Sequence, residues 1–250
     1  GEINQFLTDG GHYRQSLPPW HTKSIVYQIR HSLSEWWGLL PHYWKWSAAN
    51  NTLHQTLGTE NIFTMINCLY HLNVIYINRE FLPFLPHSTN FPSGPTEGPV
   101  FPEPPDADYW IKSSKECFES VRSLTVILDS LLKRENEEGE QGHPCNYTAN
   151  PFYCFCAFVS TIQAMYGAKF HWMDVDHVPN LGSSMSLATC STNMLNFLEI
   201  KQVNIEIAQN WYDVSNGIMD LYDFVSRNMD KAREMNLGRS NLRQLKNLVQ

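Results

Sequence analysis

Residues 58–86 read GTENIFTMINCLYHLNVIYINREFLPFLP, and this stretch decides the fold. Between positions 62 and 77, apolar side chains occur on nearly every side of a helix. Such a helix is buried in a larger core or crosses a membrane, and a span requires about 20 uninterrupted apolar residues. This run is interrupted by Asn67, His71 and Asn73. The pattern therefore predicts the central buried helix of a soluble bundle.

Local signals define the ends of this helix. Thr59 is the predicted N-cap, and Pro83 ends the helix because proline lacks a backbone donor and clashes with the preceding turn. Arg79 lies where a cation meets the negative end of the helix dipole, and we expect it to pair with an acid on a neighbouring helix. His71 has no obvious partner for acid–base catalysis, so we expect it to be a buried, hydrogen-bonded structural residue.

Helical patterns recur along the rest of the chain, with apolar residues at spacings of three and four. No strand-like alternation of four or more residues stands out. The sequence predicts an all-α fold, an irregular bundle of about seven helices with a long Pro-rich loop. The patterns lie at residues 22–40, 109–133, 151–168, 186–198 and 203–225. Pro41 is predicted to end the first of these helices, and Asp106 or Asp108 is the predicted cap of the second.

Three stretches are predicted to be loops. Residues 1–20 are polar and carry one Gly-Gly and one Pro-Pro pair, and residues 134–142 form an acidic run. Residues 83–105 hold eight prolines, which favour an extended, poorly packed surface excursion. A proline-rich docking motif is the alternative for this run, although no flanking Arg or Lys supports an SH3-type ligand.

Composition limits the function classes. The formal net charge of −7 argues against non-specific DNA binding by the chain as a whole, because phosphate affinity comes from clustered Lys and Arg. The N-terminal residues lack a signal-peptide pattern, which favours an intracellular, reduced protein. The first residue is Gly rather than Met, so we expect a fragment of a longer protein.

Two clusters contain residue types that bind metals. His143 and Cys145 precede Cys154 and Cys156, but helical residues two positions apart point to different sides, so a zinc site is disfavoured. Residues 171–177 collect two His and two Asp in what we expect to be a polar loop. No hydrolase, phosphate-loop or prenyl-diphosphate motif is present, so we expect no enzyme and no cofactor in this chain.

Residues 69–82, LYHLNVIYINREFL, resemble the "LxYHxxxILLHRPFL" signature of fungal zinc-cluster transcription factors, which lies in their middle homology region. They depart from that pattern at Asn78 and Glu80, where the family has His and Pro, and the preceding Cys68 replaces a Leu. Residues 33–41, LSEWWGLLP, followed by Trp46, resemble the family's "LxxWxxxLPxxLxW" segment. In the family a short linker joins the two segments, and residues 47–57 fill that role here.

Two further segments resemble the family in the same order. A family helix begins near "NPF", as at residues 150–152, and residues 188–222 resemble the last block, "CxxxLxxL" followed by "WxxAxxWxxxVxxLxxLY". The motif positions that the resemblance assigns a structural or regulatory role are Trp36, Leu40, Pro41, Leu69, Tyr70, His71, Arg79, Phe81, Leu82 and Trp211.

The resemblance implies a nuclear regulatory domain that holds an activator of RNA polymerase II transcription in check. Residues 1–226 would form the C-terminal part of a larger middle homology region, and residues 227–250 a basic tail or linker. Zinc and DNA would bind only to an N-terminal C-x2-C-x6-C cluster outside this fragment. The implied partners are a small-molecule inducer and co-regulator proteins, with homodimerisation of the full-length protein as a further option and no membrane.

Two alternatives remain at this stage: an all-α enzyme and a helical interaction scaffold, each binding an apolar small molecule. The scaffold differs from the regulatory domain only through the family motifs. The two helices that are apolar all round, at residues 62–77 and 152–165, exceed what the amphipathic helices can cover. We therefore expect an exposed apolar patch, and a groove for a hydrophobic inducer or a partner's amphipathic helix.

Overall fold

The computed structural model describes residues 2–11, 15–83, 90–96, 101–140 and 151–176. Within these ranges all regular structure is helical, which confirms the all-α prediction. The predicted helices at 186–198 and 203–225, the tail at 227–250 and Trp211 lie outside the described residues. The α-helices are α1 (Glu2–Thr8), α2 (Ile25–Leu39), α3 (Ala48–Thr56), α4 (Glu60–Arg79), α5 (Tyr109–Glu140) and α6 (Pro151–Lys169), with 3-10 turns at His42–Trp44 and His171–Met173.

Helix α4 is the predicted central helix, and it contacts every other helix of the described part. Its buried asparagines are satisfied: Asn67 Oδ1 accepts a hydrogen bond from the Trp46 backbone at 2.8 Å, and Asn78 Oδ1 accepts one from the Ser113 hydroxyl at 2.8 Å. Thr59 stands at the N-cap position, but its hydroxyl pairs with His54 Nδ1 at 2.8 Å instead of capping the helix. Asn67 and Asn78, two polar residues of this helix, thus hold Trp46 and Ser113 against α4 by hydrogen bonds.

The main core lies between α4, α5 and α6, and most of its side chains are fully buried. Each large apolar side chain buried there contributes roughly 1.5–3 kcal/mol to stability. A smaller cluster joins α1 and α2 to the C-terminal end of α4. The main core contains Cys68, Leu72, Ile75, Leu82, Cys117, Phe118, Val121, Leu124, Ile127, Tyr153, Cys156, Val159 and Ile162; the smaller cluster contains Phe6, Val26, Ile29, Ile77 and Phe81.

Two segments predicted to be loop or linker are helical. Helix α1 lies within residues 1–20 because Phe6, only 2% exposed, anchors it against α2 and α4. Helix α3 replaces the expected linker at 47–57, since the Ser47 hydroxyl accepts a hydrogen bond from the Asn50 backbone at 3.1 Å and caps it. Neither segment has an apolar stripe long enough to predict a helix from periodicity.

The prediction of an acidic loop at 134–142 is also wrong for the residues that the structure describes, because α5 continues to Glu140. Glu, Lys and Arg are good helix formers, so a charged run can extend a helix as readily as it can form a loop. Arg134 forms an ion pair with Glu60, which is only 4% exposed, and this contact ties the extension to the start of α4.

The Pro-rich run is non-helical at its described residues, as predicted, but it is not uniformly a poorly packed excursion. Pro92 and Gly94 are buried. Gly94 adopts a φ of +85°, and a Cβ there would lie 2.5 Å from the Trp110 ring, so only glycine fits this approach. Phe101 packs against the smaller cluster. The run is therefore anchored at two points to the helices.

Among the described residues, no helix combines the length and apolar character that crossing a bilayer requires.

Candidate ligand-binding cavity

Two stretches that resemble one family meet in the structure. The Trp37 ring of α2 stacks on the Tyr70 ring of α4, with centroids 3.7 Å apart and planes 7° from parallel. His71, next along α4, lies edge-on to Trp37 with centroids 6.0 Å apart. Because about 30 residues of chain separate the two helices' contact points, this stack is a tertiary contact that fixes α2 against α4.

A cavity of about 690 Å³ opens beside this stack, between α2, α4 and α5. Each helix contributes side chains at spacings of three and four, so one continuous face of each helix lines the space. The lining residues are Pro19, Trp20, Tyr27, Arg30, His31, Leu33, Ser34 and Trp37; Tyr70, His71, Val74, Ile77 and Asn78; and Tyr109, Lys112, Glu116, Glu119, Ser120 and Ser123.

His71 is the histidine of α4, and it lines the cavity. Burial lowers the pKa of its imidazole to about 4, so the ring is neutral at physiological pH. Nδ1 lies 3.4 Å from the Ser120 hydroxyl, while Nε2 has no hydrogen-bond partner among the described residues. A neutral imidazole with one nitrogen available can donate or accept one hydrogen bond.

The other prominent polar group is a cluster on α2 and α5. Arg30 donates to Glu116 at 2.6 Å and to the Tyr109 hydroxyl at 3.1 Å, and its guanidinium lies over the Tyr109 ring at 5.6 Å. Burial raises the pKa of the Tyr109 phenol, so the group stays protonated. Arg30, Tyr109 and Glu116 all line the cavity, and the charges of Arg30 and Glu116 are paired.

Some of the motif positions predicted from the sequence line this cavity, and others lie outside it. Tyr70 and His71 line it. Trp36 is 41% exposed beside the stack, with its centroid 6.4 Å from Tyr70. Leu40 and Pro41 follow the end of α2 and are not among the lining residues.

The remaining motif positions serve packing or lie on the surface. Phe81 and Leu82 are buried in the smaller cluster and the main core respectively. The Arg79 guanidinium lies over the Tyr76 ring at 4.2 Å. Leu69 is 44% exposed on a face of α4 that points away from the cavity.

Sequence reasoning missed the α5 wall of the cavity. Residues 112, 116, 119, 120 and 123 are the polar face of an amphipathic helix, which indicates solvent contact unless the partner helix is known. Trp37 was visible as part of the apolar stripe of α2, but its stacking partner was not.

Only part of the two clusters of metal-binding residue types lies within the described residues, and neither the side chain of Cys154 nor His177 does. Cys156 is buried in the core, whereas His143 and Cys145 lie outside the described residues. Asp174 accepts two hydrogen bonds from Arg122 at 2.8 Å, which pins the 3-10 turn to α5. No group of three or more His, Cys, Asp and Glu residues suited to a metal ion occurs in the described ranges.

An apolar stripe on α4 is exposed. Ile62, Met65 and Leu69, spaced three and four apart, are 59%, 39% and 44% exposed, so they share one face. The described side chains of α6 are buried or half-buried instead. Exposed large apolar side chains therefore occur on the first of the two apolar helices and not on the described part of the second, while the predicted size of the patch stays a prediction.

The chain matches no protein-family model, no curated protein and no solved structure. The geometry of the cavity and the sequence resemblance are therefore the grounds for a functional argument.

Proposed function

We propose that this chain is the regulatory domain of a fungal zinc-cluster transcription factor, and that it acts in the nucleus by binding a small molecule. One observation carries the proposal: residues 33–41 and 69–82, which resemble two ordered motifs of that family, meet at the Trp37–Tyr70 stack beside a cavity. Its volume of about 690 Å³ lies in the range of roughly 300–1,000 Å³ that holds small ligands.

The packing of α2 suggests how a ligand would act. Only Val26 and Ile29 of this helix are fully buried, and most of its other side chains are exposed or half-buried. A ligand in the cavity would touch α2, α4 and α5 at once, and would favour the arrangement in which α2 is docked. A ligand shifts such an equilibrium by its difference in affinity for the two arrangements.

DNA recognition would belong to a six-cysteine zinc cluster elsewhere in the full-length protein, because this chain contains no C-x2-C-x6-C sequence. Its formal net charge of −7 also suits a regulatory rather than a phosphate-binding segment. Co-regulator proteins, and a second copy of the full-length protein, would be its macromolecular partners.

A reporter assay tests this function. The 250-residue chain would be inserted between a heterologous DNA-binding domain and an acidic activation segment in yeast. We expect reporter output several-fold below that of the fusion without the insert, at equal protein level. The control insert carries Ile75→Asp, which disrupts the core and should restore output. Full output from a folded wild-type insert would overturn the proposal.

A further inference from the structure

The walls of the cavity indicate the shape of its ligand. Trp20, Tyr27, Trp37, Tyr70 and Tyr109 all face it. Trp20 meets Tyr109 edge to face, with centroids 5.2 Å apart, whereas Trp37 and Tyr70 lie parallel. A ligand in the cavity would therefore meet both edge-on aromatic rings and the side of a parallel ring stack. A flat aromatic ring system can make offset-stacked or edge-to-face contacts with such groups, each worth about 0.5–1.5 kcal/mol beyond the buried area.

The charged groups of the wall have partners within the protein. Arg30 is bound to Glu116 at 2.6 Å, and Lys112 is bound to Asp106 at 2.5 Å. Glu119 lies 3.8 Å from the Lys115 ammonium, which is also 3.0 Å from Asp176. An anion or a cation entering the cavity would have to compete with these ion pairs for a counter-charge while losing part of its own hydration, which is unfavourable. The electrostatics thus favour an uncharged ligand.

His71 supplies the polar contact that would orient the ligand. Its Nδ1 side is directed to Ser120, and Nε2 has no hydrogen-bond partner among the described residues. Because burial holds the imidazole neutral, it offers one donor or acceptor without adding a charge. A ligand hydroxyl, which can both donate and accept, can pair with Nε2 in either tautomer.

We propose that the cavity between α2, α4 and α5 binds an uncharged, flat aromatic molecule with one hydroxyl group, which forms a hydrogen bond with His71. This inference rests on the proposed function in one respect: the ligand is taken to be the molecule that regulates the transcription factor. The cavity, its ring contacts and its paired charges are independent of that role.

The test is a titration of the chain with four naphthalene probes at pH 7.5, followed by quenching of tryptophan fluorescence. The probes are 2-naphthol, naphthalene, 2-naphthoate as the anion and 2-naphthylmethylamine as the cation. We expect 2-naphthol to bind about 2- to 10-fold more tightly than naphthalene, the ratio that one net hydrogen bond provides. Both charged probes should bind at least about 10-fold more weakly than 2-naphthol.

Variants locate the site and the hydrogen bond. In His71→Phe, 2-naphthol and naphthalene should bind equally, whereas His42→Phe, which changes an exposed histidine outside the cavity, should keep the preference. Ser123→Trp, which fills the cavity, should weaken every probe, and the matched control Val126→Trp, on the same helix but 57% exposed, should not. Circular dichroism melting of each variant separates lost binding from lost folding.

Several results would overturn the proposal. They are tighter binding of either charged probe, no binding of 2-naphthol by the folded wild-type chain, or an unchanged preference in folded His71→Phe. The result of the binding titration can be distinguished from the result of the reporter assay. Reporter repression together with a preference for a charged probe would overturn the ligand class and leave the regulatory role. The predicted probe order without repression would support the ligand class and overturn that role.

Discussion

The two sides of α4 differ in what they pack against, although both are apolar in sequence. On the side facing α5 and α6, Cys68 and Ile75 are completely buried, and Cys117 of α5 lies against the Ile75 carbonyl. On the side facing α2, Tyr70 and His71 are half-buried and line a cavity. The side of α4 that faces α5 and α6 stabilises the fold, whereas the side that faces α2 leaves space for a ligand.

The largest expected effect comes from placing a charge on the buried side of α4, which faces α5 and α6. Ile75→Asp should lower the free energy of unfolding by more than about 4 kcal/mol, or prevent folding, because the carboxylate would be buried without a partner. Leu69→Asp, on the exposed face of the same helix, should cost about 1 kcal/mol or less. Urea unfolding followed by circular dichroism measures both. Equal losses would mean that the two faces are not packed differently.

A pH titration examines the cavity side. His71 has a folded-state pKa of about 4, below the roughly 6.5 of an unfolded chain, so the unfolded state binds more protons between these values. Its contribution is fully present above pH 6.5 and is lost as the pH falls to 4, by at most about 3 kcal/mol.

The measurement for His71 is a difference between proteins, because the carboxylates of Glu116 and Glu119 also face the cavity and titrate in acid. The unfolding free energy of the wild type should fall more steeply between pH 6.5 and 4 than that of His71→Phe. His42→Phe, which changes an exposed histidine outside the cavity, should follow the wild type. Parallel curves for wild type and His71→Phe would contradict an imidazole that stays neutral in the folded chain.

A smaller effect is expected at the aromatic stack. Trp37→Ala removes the ring that lies on Tyr70 and under the Lys45 ammonium, and should cost about 2 kcal/mol, since this ring is only half-buried. Trp36→Ala should cost less than about 1 kcal/mol, because that ring is 41% exposed. Thermal melts of the two variants give the comparison. A larger loss for Trp36 would show that the wrong tryptophan was assigned to the α2–α4 contact.

The fold was predictable where apolar residues repeat over many turns. Helices α4 and α6 have long apolar runs, and both lie within two residues of their predicted bounds. Helices α1 and α3 were missed because they are short and are held by single tertiary features, the buried Phe6 and the Ser47 cap. Local pattern cannot reveal contacts with residues distant in the chain.

The cavity was predictable only in part. A groove for a hydrophobic inducer was expected, and His71 was singled out because it is polar inside an apolar run. The α5 wall was not predicted, because a polar helix face looks the same in sequence whether it meets solvent or a cavity. The Arg30–Glu116 pair joins residues 86 positions apart, so no local signal could identify it.

Amide hydrogen exchange with and without 2-naphthol tests the central claim most directly, because it reports which side of α4 receives a ligand. We predict slower exchange with 2-naphthol in α2 and in the part of α4 around Tyr70 and His71, and unchanged exchange in α6. The Ser123→Trp variant should show no such protection. Protection of α6, or equal exchange throughout the wild-type chain at saturating 2-naphthol, would contradict the account.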